Sequence, residues 1–158
     1  MQNCPLCHHH GNDVLKSHYF ECQICKGIFV DQQRLLDPAS EKARYETHNN
    51  DVNDPRYQKF VMPIVQQVLS NHDINHQGLD FGAGTGPVIS KLLADKGYSV
   101  EQYDPFFHNN PTVLQKEYDY IVSCEVIEHF YQPDKEFALL KKLMKPGAAL
   151  YCMTLIYK

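Results

Sequence analysis

The chain has 158 residues, of which 43% are hydrophobic and 22% charged, a balance that suits a compact domain with a small module and excludes a disordered polymer. Its net charge of −4 argues against strong non-specific binding to nucleic acid, and no apolar run approaches the roughly 18 residues that span a bilayer. The N-terminal "MQNCPLC" has neither a basic start nor an apolar stretch, so no secretory signal, no membrane attachment and a cytoplasmic location are expected.

Residues 1–30 hold four of the six cysteines, as Cys4-Pro5-Leu6-Cys7 and Cys22-Gln23-Ile24-Cys25 with 14 residues between the pairs. Each CxxC lets two thiolates converge on one side of a tight turn, and two such turns complete a tetrahedron. Cys4, Cys7, Cys22 and Cys25 are therefore the expected ligands of a zinc ion in a zinc-ribbon-like module. The strand character of "SHYFEC" and "KGIFV" predicts a β-hairpin carrying the second pair. Cys4 to His8 also spells CxxCH, a haem-attachment pattern, but that chemistry needs export and leaves the second pair unexplained. His8, His9 and His10 are expected to be exposed. A closed four-thiolate site has no open position for substrate, so the metal is structural and supplies stability that so short a segment cannot bury for itself.

Residues 31–76 read as a helical linker or lid. Asp54 is a suitable N-cap and Pro55 suits the first helical position. Tyr57, Phe60, Val61, Ile64, Val65, Val68 and Leu69 then recur at helix spacing as one apolar stripe, and Pro63 predicts a kink or a late helix start.

From residue 77 to 158 strands alternate with helices: "GLDF" (strand), "PVISKLLADKG" (helix closed by Gly97), "YSVEQYD" (strand), "YDYIVSCEVI" (strand), "PDKEFALLKKLMKPG" (helix ending at Pro-Gly) and "AALYCMTLIY" (strand). The expected class is α/β, a doubly wound, mostly parallel Rossmann-like sheet preceded by the small zinc-binding hairpin module.

The turn after the first of these strands decides between cofactors. Gly82, Gly84 and Gly86 spell GxGxG, whereas a dinucleotide fingerprint needs its third glycine at position 87, which is Pro87. No Gly-Lys-Ser/Thr marks a P-loop. Asp80, on the strand, can face a positive group, and Asp104 ends the next strand, 20 residues past Gly84, where an acid can take both hydroxyls of a ribose. A ligand with a ribose, a positive group and no phosphates fits: S-adenosylmethionine.

Residues 78–155 resemble the class I S-adenosylmethionine-dependent methyltransferases. "LDFGAGTG" is similar to their first motif, "YDP" to their acid-ended second strand, "YDYIVSCEVIEHF" to their fourth-strand motif and "LMKPGAALYCMT" to their fifth. The resemblance implies that Gly82, Ala83 and Gly84 pass the backbone beside the methionine part of the cofactor, with Gly86 in the same turn. It further implies that Asp80 lies near the amino group, Asp104 binds the ribose, Pro105 and Phe106 wall the adenine, and Cys124 and Glu125 line the cofactor near its methyl. Methyl transfer by in-line displacement then needs alignment first, and a base only where the acceptor holds a proton. The candidates are His129 and Glu128 after the fourth strand, and Tyr45 and His48 at i, i+3 in the lid segment.

The family's sheet has seven strands and this chain stops at Lys158 after the fifth, with the third reduced to "TVL"; a truncated product, an edge covered by a partner or a second copy, or an unusually open pocket is expected. The "EVIEH" wording resembles small-molecule members, so a small-molecule acceptor leads. Some ribosomal-RNA guanine methyltransferases also pair an N-terminal zinc site with this fold, but residues 1–44 here carry five basic and five acidic side chains, and no basic aromatic surface is legible. A non-catalytic cofactor-binding or interaction protein is the remaining alternative.

Overall fold

The computed structural model describes residues 2–14, 18–47 and 50–155. Its first part is an antiparallel sheet of β1 (Gln2–Asn3), β2 (His10–Val14), β3 (Tyr19–Cys22) and β4 (Ile28–Val30), paired in sequence order. The expected hairpin is β3 with β4, and two further strands extend it. Phe20 stacks on Phe29 at 5.6 Å, and Gly11 of β2 leaves room for that pair: a Cβ there would meet the Phe29 ring at 2.6 Å.

A single 3₁₀ turn, Gln32–Arg34, leads to α1 (Pro38–Glu46). Asp37 caps α1 by accepting the Ala39 and Ser40 N–H groups at 3.0 Å each, with Pro38 in the first turn, yet α1 buries none of its residues. The longer α2 (Pro55–Asn71) starts where expected, with Asp54 accepting the Arg56 N–H at 2.8 Å. Pro63 does not delay it: the helix runs from Pro55 through Pro63, whose ring is on the exposed side. Val61, Ile64, Val65 and Val68, at i, i+3, i+4 and i+7, form the buried stripe. Burying each such side chain is worth roughly 1.5–3 kcal/mol.

The main sheet consists of β5 (Gln77–Phe81), β6 (Ser99–Tyr103), β7 (Tyr118–Cys124) and β8 (Met144–Met153), all parallel in the order β6-β5-β7-β8. On one face the α2 stripe and Val88, Ile89 and Leu93 of α3 (Val88–Ala94) pack with Tyr120 and Val122. The other face gathers Leu79, Phe81, Ile121 and Val113 against Leu140 and Leu143, the first from α4 (Pro133–Lys142). Because β5 neighbours β6 on one side and β7 on the other, the strand order reverses there, and the crevice at the carboxyl ends of these strands is where an open α/β sheet takes its ligands.

Two expectations are corrected. "TVL" is not a strand: Pro111–Gln115 form a 3₁₀ helix, because Asn110 accepts the Thr112 N–H at 3.1 Å and Pro111 has no N–H to give a ladder. The last helix ends at Lys142 rather than at Pro-Gly. Pro146 and Gly147 fall within the β8 span, where five steps in β8 (Met144 to Ala149) oppose two in β7 (Tyr118 to Tyr120), and Gly147 takes the left-handed φ of 82° that such a bulge needs. Among the described residues no helix is long and apolar enough to cross a membrane.

Candidate functional site

The four paired cysteines meet. The Sγ atoms of Cys4, Cys7, Cys22 and Cys25 all lie within 4.8 Å of one another, with Cys4 to Cys25 at 3.7 Å and Cys7 to Cys22 at 3.3 Å. A tetrahedron of thiolates around zinc has edges of about 3.8 Å, and a disulfide would need roughly 2.05 Å, so the cluster suits a metal ion and holds no disulfide.

The two CxxC turns are built alike. His8 donates its backbone N–H to Cys4 O at 2.9 Å and Lys26 to Cys22 O at 3.1 Å; Cys4 donates to His9 O and Cys22 to Gly27 O, at 2.8 and 2.9 Å. The residue after each second cysteine, His8 (φ 63°) and Lys26 (φ 62°), is left-handed, which turns the chain so that both sulfurs face inward. Burial pushes the Cys22 thiol up, but the backbone N–H groups of Cys25 and Ile24 outweigh it and hold it down at about 6. At Cys25 the Gly27 N–H lowers the thiol, but burial and the three neighbouring sulfurs push it up to about 12, so the four do not ionise together without a cation among them. His8, His9 and His10 are exposed, as expected.

The second site is a cavity of about 790 Å³ at the carboxyl ends of β5, β6 and β7. The glycine turn forms its floor. Gly82 (φ 83°) and Gly84 (φ 61°) both require the left-handed region, and their surroundings differ. A Cβ on Gly82 would strike Val126, whereas one on Gly84 would meet nothing within 4 Å. Gly84 therefore offers bare backbone to open space. Gly86 is a different case: its missing Cβ is occupied by the Asn50 backbone, so this glycine seats the segment before α2 rather than lining the cavity.

Asp104 is 7% exposed and lines the cavity. Its Oδ2 accepts the Gly84 N–H at 3.0 Å, and its Oδ1 accepts those of Phe106 and Phe107 at 2.8 and 3.1 Å. One carboxylate thus ties the glycine turn to the end of β6. Pro105, Phe106, Ala83, Cys124 and Glu125 line the same cavity. Burial pushes the Cys124 thiol up to about 12, which keeps it protonated and unsuited to nucleophilic attack. Glu125, at φ 55°, is held in a region that side chains rarely adopt, and among the described residues its buried Oε1 has no hydrogen-bond partner.

Asp80 lies beneath the turn, 4% exposed and outside the lining, accepting the Ser90 hydroxyl at 2.8 Å. Burial lifts its carboxyl from 3.8 to about 6, against the hydrogen bonds from Ser90. A carboxyl raised in the folded state stabilises the fold while protonated. That contribution is complete below about pH 4 and is lost as pH rises through about 6, a difference of roughly 3 kcal/mol. Denaturant titrations of the native chain and Asp80→Asn at pH 4.5 and pH 7.5 are expected to show the variant gaining on the native chain by about 2 kcal/mol between the two, the rest of the contribution having been lost already by pH 4.5. Parallel pH dependence of the two proteins would show that Asp80 is not charged at a cost.

Tyr45 and His129 come together across the cavity, ring centroids 5.7 Å apart and edge to face, Tyr45 from α1 and His129 from a 3₁₀ turn over Ile127–His129. Burial raises the Tyr45 phenol, with Glu41 adding to it. Glu128 is exposed and outside the lining, and His48 lies outside the described residues. The sequence reading missed the rest of the wall. Pro38 and Glu41 share one face of α1 with the expected Tyr45, at i, i+3 and i+7, and Tyr131 and Glu136 come from the loop and first turns around α4. The α1 spacing was legible, but nothing in the sequence says what that face opposes.

A family model described as a methyltransferase domain matches residues 47–157. No curated protein matches the chain significantly.

Proposed function

The chain belongs to the methyltransferase-domain family, and from that premise we propose that it transfers a methyl group from S-adenosylmethionine to a small-molecule acceptor. When bound, that cofactor supplies an electrophilic methyl on a positively charged sulfonium. The observation that carries the reading is the open side of Gly84 beside the buried Asp104 carboxylate, a cradle with room for a ligand's backbone-hugging part and an acceptor for its hydroxyls. The charge of the cavity agrees: Glu41, Asp104, Glu125 and Glu136 face it against Arg44 as the lining's lone lysine or arginine, which suits a cationic ligand.

On this reading Asp104 holds the ribose hydroxyls, Gly82 to Gly84 give the methionine part close approach, Pro105 and Phe106 flank the adenine, and Asp80 acts on the amino group from beneath the turn. Tyr45 and His129 orient the acceptor, and His129 takes its proton where it has one. A cavity of about 790 Å³ matches a small-molecule site. The four-thiolate cluster is read as a structural zinc site, since four protein ligands leave no open position.

Calorimetric titration of metal-analysed protein with S-adenosylhomocysteine tests it. A single site with micromolar Kd is expected; no heat from protein carrying one zinc per chain would sink the methyl-donor reading.

A further inference from the structure

Resting on the methyl-donor reading above, we propose that the acceptor is an amine, bound in the part of the cavity between α1 and α4 with its nitrogen toward Glu125.

The cavity divides by chemistry. At the glycine turn the Asp104 carboxylate accepts three backbone N–H groups and, on the reading above, takes the ribose hydroxyls, so it is committed to the cofactor rather than to the acceptor. The other part carries three further carboxylates, Glu41 from α1, Glu125 from the end of β7 and Glu136 from α4. Glu136 accepts the Gln132 N–H at 3.0 Å, and the Glu41 carboxylate lies 3.4 Å from the Tyr45 hydroxyl. The Leu155 backbone N–H donates to the Glu125 carboxylate, but the buried Oε1 has no hydrogen-bond partner among the described residues. Against these stands Arg44, exposed on α1. The field in this part is therefore negative, and burial together with the neighbouring Glu128 charge raises the Glu125 carboxyl, while burial, Asp134 and Glu41 raise that of Glu136.

Aromatic rings complete the setting. Tyr45 and Tyr131 line this part, and the negative face of a phenol ring attracts an ammonium. A carboxylate or phosphate acceptor would add charge to three carboxylates with one guanidinium to offset it. A neutral alcohol would satisfy Glu125 Oε1 with one O–H but add no positive charge, and Arg44 with the cofactor's sulfonium does not balance three carboxylates besides Asp104. An amine does both. Its positive form sits among carboxylates and ring faces. Once it gives one proton to His129, the freed lone pair forms the N–C bond as the methyl's C–S bond breaks, while a remaining N–H donates to the orphaned oxygen.

The test uses metal-loaded, full-length, nitrogen-labelled protein saturated with S-adenosylhomocysteine and titrated with benzylamine, benzyl alcohol and benzoate while backbone amide shifts are followed. Benzylamine is expected to shift the amides of Tyr45, Glu125 and Tyr131 and to bind about tenfold or more tighter than benzyl alcohol, with benzoate giving no saturable shift. Glu125→Gln is expected to bring the amine to within about threefold of the alcohol. The ratio of amine to alcohol in the native protein decides the matter even where the variant folds poorly. Equal affinities, a preference for benzoate, or no amine shifts in protein that holds S-adenosylhomocysteine would overturn the amine assignment and leave the methyl-donor reading standing. Failure to take up S-adenosylhomocysteine would overturn that reading, and this inference with it.

Discussion

Stripping the metal with a chelator, or replacing one ligand as Cys22→Ser, is expected to unfold residues 2–30 while the parallel sheet survives. The buried apolar side chains described in this segment are few, Cys4, Phe20 and Cys22, and two of those three belong to the four-thiol cluster. A core of that size does not offset the backbone entropy of ordering four short strands, which costs about 1–2 kcal/mol per residue. A bound structural zinc contributes on the order of 10–16 kcal/mol in small modules, so it dominates every other term here. The parallel sheet has its own core on both faces and shares no ligand with the cluster. The ion pair from His8 to Asp134, 3.4 Å long and largely exposed, adds little across the boundary. Hydrogen exchange makes the test: amide protection across β2 and β3 should vanish on metal removal while that of β5 and β7 persists. Protection retained in both would mean that the four sulfurs are ordinary reduced thiols and the strands hold themselves.

How far the sequence carried depends on how local each signal is. Two CxxC pairs converge because each is a self-contained turn, and β7 is dense enough in apolar residues to be read on its own. The failures came where a neighbour decides. "TVL" has strand composition, but Asn110 and Pro111 ahead of it close a 3₁₀ turn whose Val113 carbonyl accepts the Tyr118 hydroxyl at 2.8 Å. The end of α4 was placed by Pro-Gly, a usual stop signal. The parallel pairing of Met144 with Tyr118 claims the chain before that signal is reached. At the cavity, Gly82, Gly84 and Gly86 look alike in the sequence and do three different things: one clears Val126, one faces open space and one admits the Asn50 backbone. Only tertiary packing separates those roles. Apart from Tyr45, the α1 face was missed for the same reason. Its Glu41 and Tyr45 are at helical spacing, but a helix with no buried residue gives no amphipathic stripe to read.

Asp104 is where fold and binding are hardest to separate, and two substitutions divide them. Asp104→Ala leaves the N–H groups of Gly84, Phe106 and Phe107 without their acceptor at a 7% exposed position. Hydrogen bonds to a charged group are worth roughly 1.5–3 kcal/mol each, so with some relaxation a loss of about 2–4 kcal/mol of stability is expected. S-adenosylhomocysteine affinity should fall by about 100-fold or more, because both the ribose acceptor and the tie to the glycine turn are gone. Asp104→Asn keeps one oxygen, enough to accept the Phe106 and Phe107 N–H groups, and turns an N–H₂ toward the Gly84 donor. It should recover half or more of the lost stability yet still bind S-adenosylhomocysteine about tenfold or more weaker, since an amide offers one acceptor where the carboxylate offers two. Thermal melts and calorimetry on the same samples read the two effects apart. Native-like affinity in Asp104→Asn would make the carboxylate a strut for the Gly84 turn and nothing more, and the ribose would then have to be held by the backbone alone.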